Sequence, residues 1–162
     1  MLINNAGIFV PKPFTEYTTK DFNILVSTTL AGFLHVSQLA VKQMVQQKSG
    51  SIVNVSTTLV DQPIAGVDAA VQIMLKGALN AVTRALAIEY AKDGIRVNTV
   101  ALGVINTPMH KPETHGFLKG LHPLGRMGEI QEVVEAVLFL TDATFTSGEI
   151  LHVDGGAHAG KW

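Results

Sequence analysis

Lys76 and Gln72 stand four residues apart in the run "DAAVQIMLKGALNAVTRAL" at 68–86. On a helix that spacing puts both side chains on one face. An ammonium group brings a positive charge and several N–H donors. A primary amide gives and takes hydrogen bonds but releases no proton near neutral pH. Upstream, the apolar run "IVNV" ends in the hydroxyls of Ser56, Thr57 and Thr58. Such hydroxyls either bind an incoming oxygen or cap their own turn. His110, His115 and His122 gather in a stretch rich in proline and glycine. They lack H-x-x-x-H spacing and a helical frame, so solvated loop histidines are expected rather than a metal site. His152 and His158 flank "VDGG" and are expected to pack at the C-terminus or at a subunit contact. The absence of cysteine removes thiolate nucleophiles, disulfides and Cys-based metal sites.

These groups need a frame. "LINNAG" reads as a short buried strand with an exit turn, followed by a loop punctuated by Pro11 and Pro13. Thr18 with Asp21 forms a capping-box pattern. Phe22, Leu25, Val26, Leu30, Phe33, Val36, Ala40 and Met44 then recur at helical spacing, predicting one long amphipathic helix that closes near Ser49-Gly50. "SIVNVS" and "IRVNTVA" are strands too apolar for a sheet covered on one face only. A helix is predicted from about Ala69 to Lys92, and an irregular segment from Leu102 to about Gly128. "EIQEVVEAVLFLT" reads as a helix and "EILHV" as a last strand. The order is β-α-β-α-β-loop-α-β, which predicts a single α/β domain over residues 1–162 with a parallel sheet between helix layers.

Composition narrows the function classes. The 162 residues are 47 % hydrophobic and 15 % charged, with a formal net charge of -1. No basic stripe suits nucleic acid. The N-terminus has no signal-peptide pattern, and no uninterrupted apolar run reaches the ~20 residues of a membrane span. A soluble, cytoplasmic protein is expected. The apolar, weakly charged composition also fits subunit contacts.

"NNAG", "GSIVNVS", "KGALNAVTRALAIEYAKDGIRVNTVALGVINTPM", "PLGRMGE" and "GEILHVDGG", in this order, resemble the short-chain dehydrogenase/reductase family over nearly the whole chain. The resemblance implies a Rossmann-like doubly wound parallel sheet binding NAD or NADP. It starts at the family's fourth strand, so the expected fold is an N-terminally truncated one, about four strands with flanking helices, or the C-terminal two-thirds of the family fold. The chain holds neither G-x-x-x-G-x-G nor G-x-G-x-x-G, the turn that seats a pyrophosphate. "LINNAG" would then form a sheet edge.

The resemblance also implies roles. Lys76 matches the lysine that holds the nicotinamide ribose and lowers the pKa of a tyrosine one turn earlier. Gln72 occupies that tyrosine's position. Thr57, with Ser56 as runner-up, matches the serine that binds the substrate oxygen. Thr29 falls where the family carries an asparagine that anchors a water relay. Tyr17 and Tyr90 lie outside the motif and are not expected to replace the missing phenol. Asn5, Ala6 and Gly7 would lie against the adenosine ribose. Gly103 would let backbone approach the nicotinamide, Ile105 would offer its backbone to the carboxamide, and Thr107 its hydroxyl to the amide or a phosphate. Residues after Thr107 match a substrate lid. Two readings follow. One is an NAD(P)-dependent oxidoreductase for an alcohol or carbonyl substrate, impaired in this chain. The other is a non-catalytic protein that keeps the fold for oligomerisation or binding. The family also pairs its two long helices across a dimer axis, so a homo-oligomer, dimer or tetramer, is expected.

Overall fold

The computed structural model describes residues 1–161. Four strands run parallel in the order β1 (Leu2–Asn4), β2 (Gly50–Thr57), β3 (Ile95–Leu102) and β4 (Ile150–Val153). β2 and β3 pair along their whole lengths, from Gly50 with Ile95 to Thr57 with Leu102. β1 pairs with β2 only through Leu2, Ile3 and Asn4 and stands at one end of the sheet.

The expected long helix is present, but in two parts. α1 (Thr19–Val26) and α2 (Gly32–Gln47) are joined by a π turn over Ser27–Ala31. The Thr18–Asp21 capping box starts α1, with both reciprocal hydrogen bonds made. The joined helix is 29 residues long and holds a stretch of mean hydropathy 1.6, long and apolar enough by length and composition to cross a membrane. Sequence runs hid this because polar residues such as Ser27, Gln38 and Lys42 interrupt them. In the fold its Leu25, Phe33, Val41 and Met44 are buried.

α3 (Ala70–Glu89) packs beside α2. Val41, Met44 and Ala87 meet Ile52, Ile95 and Val97 in one core cluster. α5 (Ile130–Asp142) covers the other face, where Val137 and Leu140 meet Val53 and Val100. Neighbouring strand residues such as Ile52 and Val53 thus serve opposite layers, which is why both strands are apolar throughout.

Several polar residues inside this core are paired, while Ser51 Oγ and Asn80 Oδ1 are buried without a partner among the described residues. Asn4 Nδ2 donates to Asn54 Oδ1 (2.9 Å), and Asn54 Nδ2 donates to Thr83 Oγ1 (2.8 Å). Thr83 and Thr99 share a hydrogen bond of 2.7 Å. The chain of bonds ties β1, β2, α3 and β3 together. Arg96, at the start of β3, donates to the carbonyls of Leu140, Thr141 and Ala143 and so caps the C-terminal end of α5. Gly94, at φ 71°, turns α3 into β3. A Cβ there would lie 2.5 Å from the Lys48 carbonyl oxygen. The segment read as irregular holds a short helix, α4 (His115–Lys119), too brief to leave a periodic signal.

Candidate active site

The C-terminal ends of the parallel strands bring the candidate residues to one rim. The turn after β1 carries Asn5, Ala6 and Gly7, all exposed. The Lys76 ammonium, on α3, reaches this turn: a Cβ placed on Gly7 would lie 3.5 Å from Nζ. Nζ also donates to the Val55 carbonyl in β2 at 2.6 Å. Among the described residues no carboxylate pairs with it. Burial without a counter-charge pushes the Lys76 pKa below the ordinary lysine value.

Gln72 is buried, at 6 % exposure, and both ends of its amide are used. Nε2 donates to the Val10 carbonyl (2.6 Å), and Oε1 lies 2.7 Å from the Tyr17 hydroxyl. That hydroxyl is also 2.7 Å from the Val10 carbonyl. Tyr17 therefore meets the motif in space, although fifty-five positions separate it from Gln72 in sequence. No periodicity could have shown this. The only signal was the ring's place just before a capping box.

The hydroxyl run after β2 is divided among different tasks. Ser56 Oγ donates to the Lys76 carbonyl at 3.4 Å. Thr57 Oγ1 accepts from the Leu59 N–H at 3.3 Å and caps the turn that follows. Thr58, buried, donates to Asp154 Oδ2 at 2.6 Å. Asp154 also accepts from the Gly156 N–H and the His158 N–H, and contacts His158 Nδ1 at 2.8 Å. Burial alone would raise the Asp154 pKa. The hydrogen bonds from Thr58, His158 and Gly156 outweigh it and hold the carboxyl below the usual value. His152 stacks on His158, with ring centres 3.8 Å apart, and contacts Asp61 at 2.9 Å. The expectation of C-terminal packing for these histidines matches this arrangement.

Gly103 lies at the end of β3. A Cβ there would sit 2.7 Å from His122 Nε2 and 2.9 Å from the Asp154 Cα, so close packing alone demands a glycine. His122 is not the solvated loop histidine expected: it is buried and accepts the Val104 N–H through Nε2 (2.9 Å), while Nδ1 faces the Leu118 carbonyl. A neutral ring with its proton on Nδ1 satisfies both bonds. Burial holds the His122 pKa below the ordinary histidine value, against the opposing pull of the Leu118 carbonyl and Asp154. Beyond it, Gly128 N–H donates to Val104 and Asn106 N–H donates to Gly128. The Ile105 N–H and C=O stand outside this ladder. Thr107 follows, its carbonyl accepting from His110 N–H.

The family model described as enoyl-(acyl carrier protein) reductase matches residues 1–158. The chain belongs to the short-chain dehydrogenase/reductase family. A tropinone reductase homolog of Arabidopsis thaliana is 42 % identical over 164 residues, with 96 % of this chain and 62 % of the relative covered. Another from the same plant is 39 % identical over 163 residues, covering 96 % of this chain and 50 % of that protein. The chain thus spans half to three-fifths of the length of these curated relatives. The solved structure of ElxO with NADP bound is 29 % identical, with TM-score 0.90 over 98 % of this chain and 67 % of that one. A gluconate 5-dehydrogenase from Burkholderia cenocepacia, solved with NADP and tartrate, is 27 % identical with TM-score 0.89, over 99 % of this chain and 65 % of its own.

Against the short-chain dehydrogenase/reductase motif, Lys76 and the Asn5, Ala6 and Gly7 turn come together. Ser56 contacts the Lys76 backbone, whereas Thr57 is used by its own turn. Thr29, at the family's asparagine position, is buried inside the π turn. Such turns often mark functional segments.

Proposed function

We propose that this chain carries the lysine-helix half of an NAD(P)-dependent oxidoreductase for an alcohol or carbonyl substrate, with proton transfer impaired. The observation that carries the reading is the Lys76 ammonium, half-buried without a counter-charge beside a glycine turn. Such a group calls for oxygen acceptors, and the hydroxyls of a nicotinamide ribose supply them. Gly7 leaves room for that approach. The Ile105 N–H and C=O, outside the local ladder, match the acceptor and donor of a carboxamide. The bound dinucleotide supplies hydride chemistry. The chain's own part is to orient the ribose through Lys76 and to offer a hydroxyl, from Ser56 or Thr57, to the substrate oxygen. At position 72 an amide stands where the reaction needs a proton donor. Loss of a general acid costs ~10²–10⁴ in rate.

The engagement of Gln72 with Val10 and Tyr17 favours a second reading, a family member that binds the dinucleotide without turnover. Fluorescence titration with NADPH and NADH, on the protein at its natural length, tests the cofactor claim. Saturable binding that weakens at least tenfold in Lys76→Met supports it; equal binding by both proteins contradicts it. Turnover of carbonyl substrates by the unaltered protein would decide between the readings.

A further inference from the structure

We propose that Tyr17 and Gln72 act as one positioning pair: the Tyr17 phenol orients the Gln72 amide, whose N–H grips the Val10 carbonyl and so holds the glycine turn against Lys76. This rests on the cofactor reading above for its functional meaning, but the grip itself is read from geometry.

The Val10 carbonyl receives Gln72 Nε2 at 2.6 Å and faces the Tyr17 hydroxyl at 2.7 Å. The third side of the triangle is the Tyr17 hydroxyl to Gln72 Oε1, also 2.7 Å. The hydroxyl has one proton; given to Gln72 Oε1, which has no other donor among the described residues, it leaves the Val10 carbonyl held by Gln72 Nε2. The amide orientation is fixed because its N–H must face the carbonyl and its oxygen the phenol. A glutamine meets both demands. A carboxylate would lack the donor, and an apolar chain would lack both groups. Val10 and Tyr17 are partly buried and pack on the cluster of Leu25, Val71 and Leu75. The grip therefore closes the interface between α1 and α3 over apolar packing. The same loop is tied at Lys12, whose N–H donates to the Asp68 carbonyl just before α3. Val10 follows Gly7 by three residues, so fixing its carbonyl limits how far the turn can move from Nζ. Residue 72 has thus taken a role in placing the cofactor turn, in exchange for the proton chemistry that a tyrosine would bring.

The test compares Tyr17→Phe, Gln72→Met and the double variant by amide hydrogen exchange and by NADPH fluorescence titration of the natural-length protein. The Lys12 amide is the loop reporter, and amides of β2 and β3 report on the core. Each single variant should speed Lys12 exchange about three- to tenfold, the change expected for one neutral hydrogen bond. The core amides should stay as they were. The double variant should be no worse than the worse single one, because the bonds form one network. The NADPH dissociation constant should rise by a similar factor. Unchanged Lys12 exchange, or strictly additive effects, would overturn the pair. Faster exchange with an unchanged dissociation constant would overturn the positioning role. If the unaltered protein bound no NADPH, the cofactor reading would fail, and the grip would stand or fall on exchange, which needs no ligand.

Discussion

At the residue scale the chemistry turns on two side chains of one helix face. Lys76 keeps a charge poorly solvated and offered to the turn at Gly7. Gln72 spends both its hydrogen-bonding ends on Val10 and Tyr17. A phenol restored at position 72 must therefore compete with a phenol already there. We expect Gln72→Tyr alone to raise carbonyl reduction only slightly, because the new ring overpacks the buried site. Gln72→Tyr combined with Tyr17→Phe should gain more, toward the ~10²–10⁴ that a general acid contributes. Steady-state reduction rates with NADPH check this. Equal gains in both variants would show that Tyr17 does not obstruct the position. Lys76 has its own signature. Its folded pKa lies below the unfolded one, so the unfolded chain binds more protons in that alkaline window, and stability should rise with pH there.

At the element scale, stability depends on how the strand ends and helix ends are tied. Arg96 gives α5 a cationic cap through the carbonyls of Leu140, Thr141 and Ala143. Arg96→Met should cost about 1–3 kcal/mol, in the range of a lost charge-assisted bond in a partly buried setting. Urea unfolding measures it, and a loss below the lower bound would mean that water replaces the cap. The rim near β4 carries an acid sensitivity. The folded pKa of His122 lies below the unfolded value, so the unfolded chain takes up more protons once pH falls through ~6.5. The folded pKa of Asp154 is also depressed, so its contribution is present above the unfolded carboxyl value and is lost as pH falls through the folded one. Stability should therefore decline in two stages on acidification. Asp154→Asn should remove the lower stage and His122→Gln the upper one. Unfolding midpoints measured across pH would show a single stage if either group were solvated.

Much of this scale was legible in the residues. The capping box at Thr18, the apolar strands and the Lys76 helix stand where spacing put them, because each is set by local pattern. What was not legible depends on contacts distant in sequence. The pairing of Tyr17 with Gln72 and of Thr58 with Asp154 needs the fold to bring separate loops together. The π turn at Ser27–Ala31 leaves the apolar stripe almost intact and so passes unseen. Asn4 and Asn54, polar groups within apolar strands, satisfy one another through a bond that only the folded sheet provides. Gly103 read as a place for close ligand approach, and its nearest neighbours are His122 and Asp154.

At the scale of the whole molecule, packing leaves apolar side chains uncovered on two helical faces. Ile24, Leu34, Val36 and Leu39 stand exposed along α1 and α2, and Ile130, Val134, Leu138 and Phe139 along α5. Apolar surface on this scale marks association sites. We expect the protein to sediment above monomer mass at micromolar concentration and Leu39→Lys to shift it toward monomer. A monomer across that range would assign the exposed faces no role in self-association.

The central claim is that the Lys76 ammonium and the Gly7 turn form one dinucleotide-ribose site. The direct measurement is NMR of the natural-length protein during NADPH addition, following the Gly7 amide and the Lys76 ammonium together. Both signals should shift along one saturable curve, with the Ile105 amide moving in step. If NADPH bound while the Gly7 and Lys76 signals stayed fixed, or moved with separate affinities, the account would be contradicted.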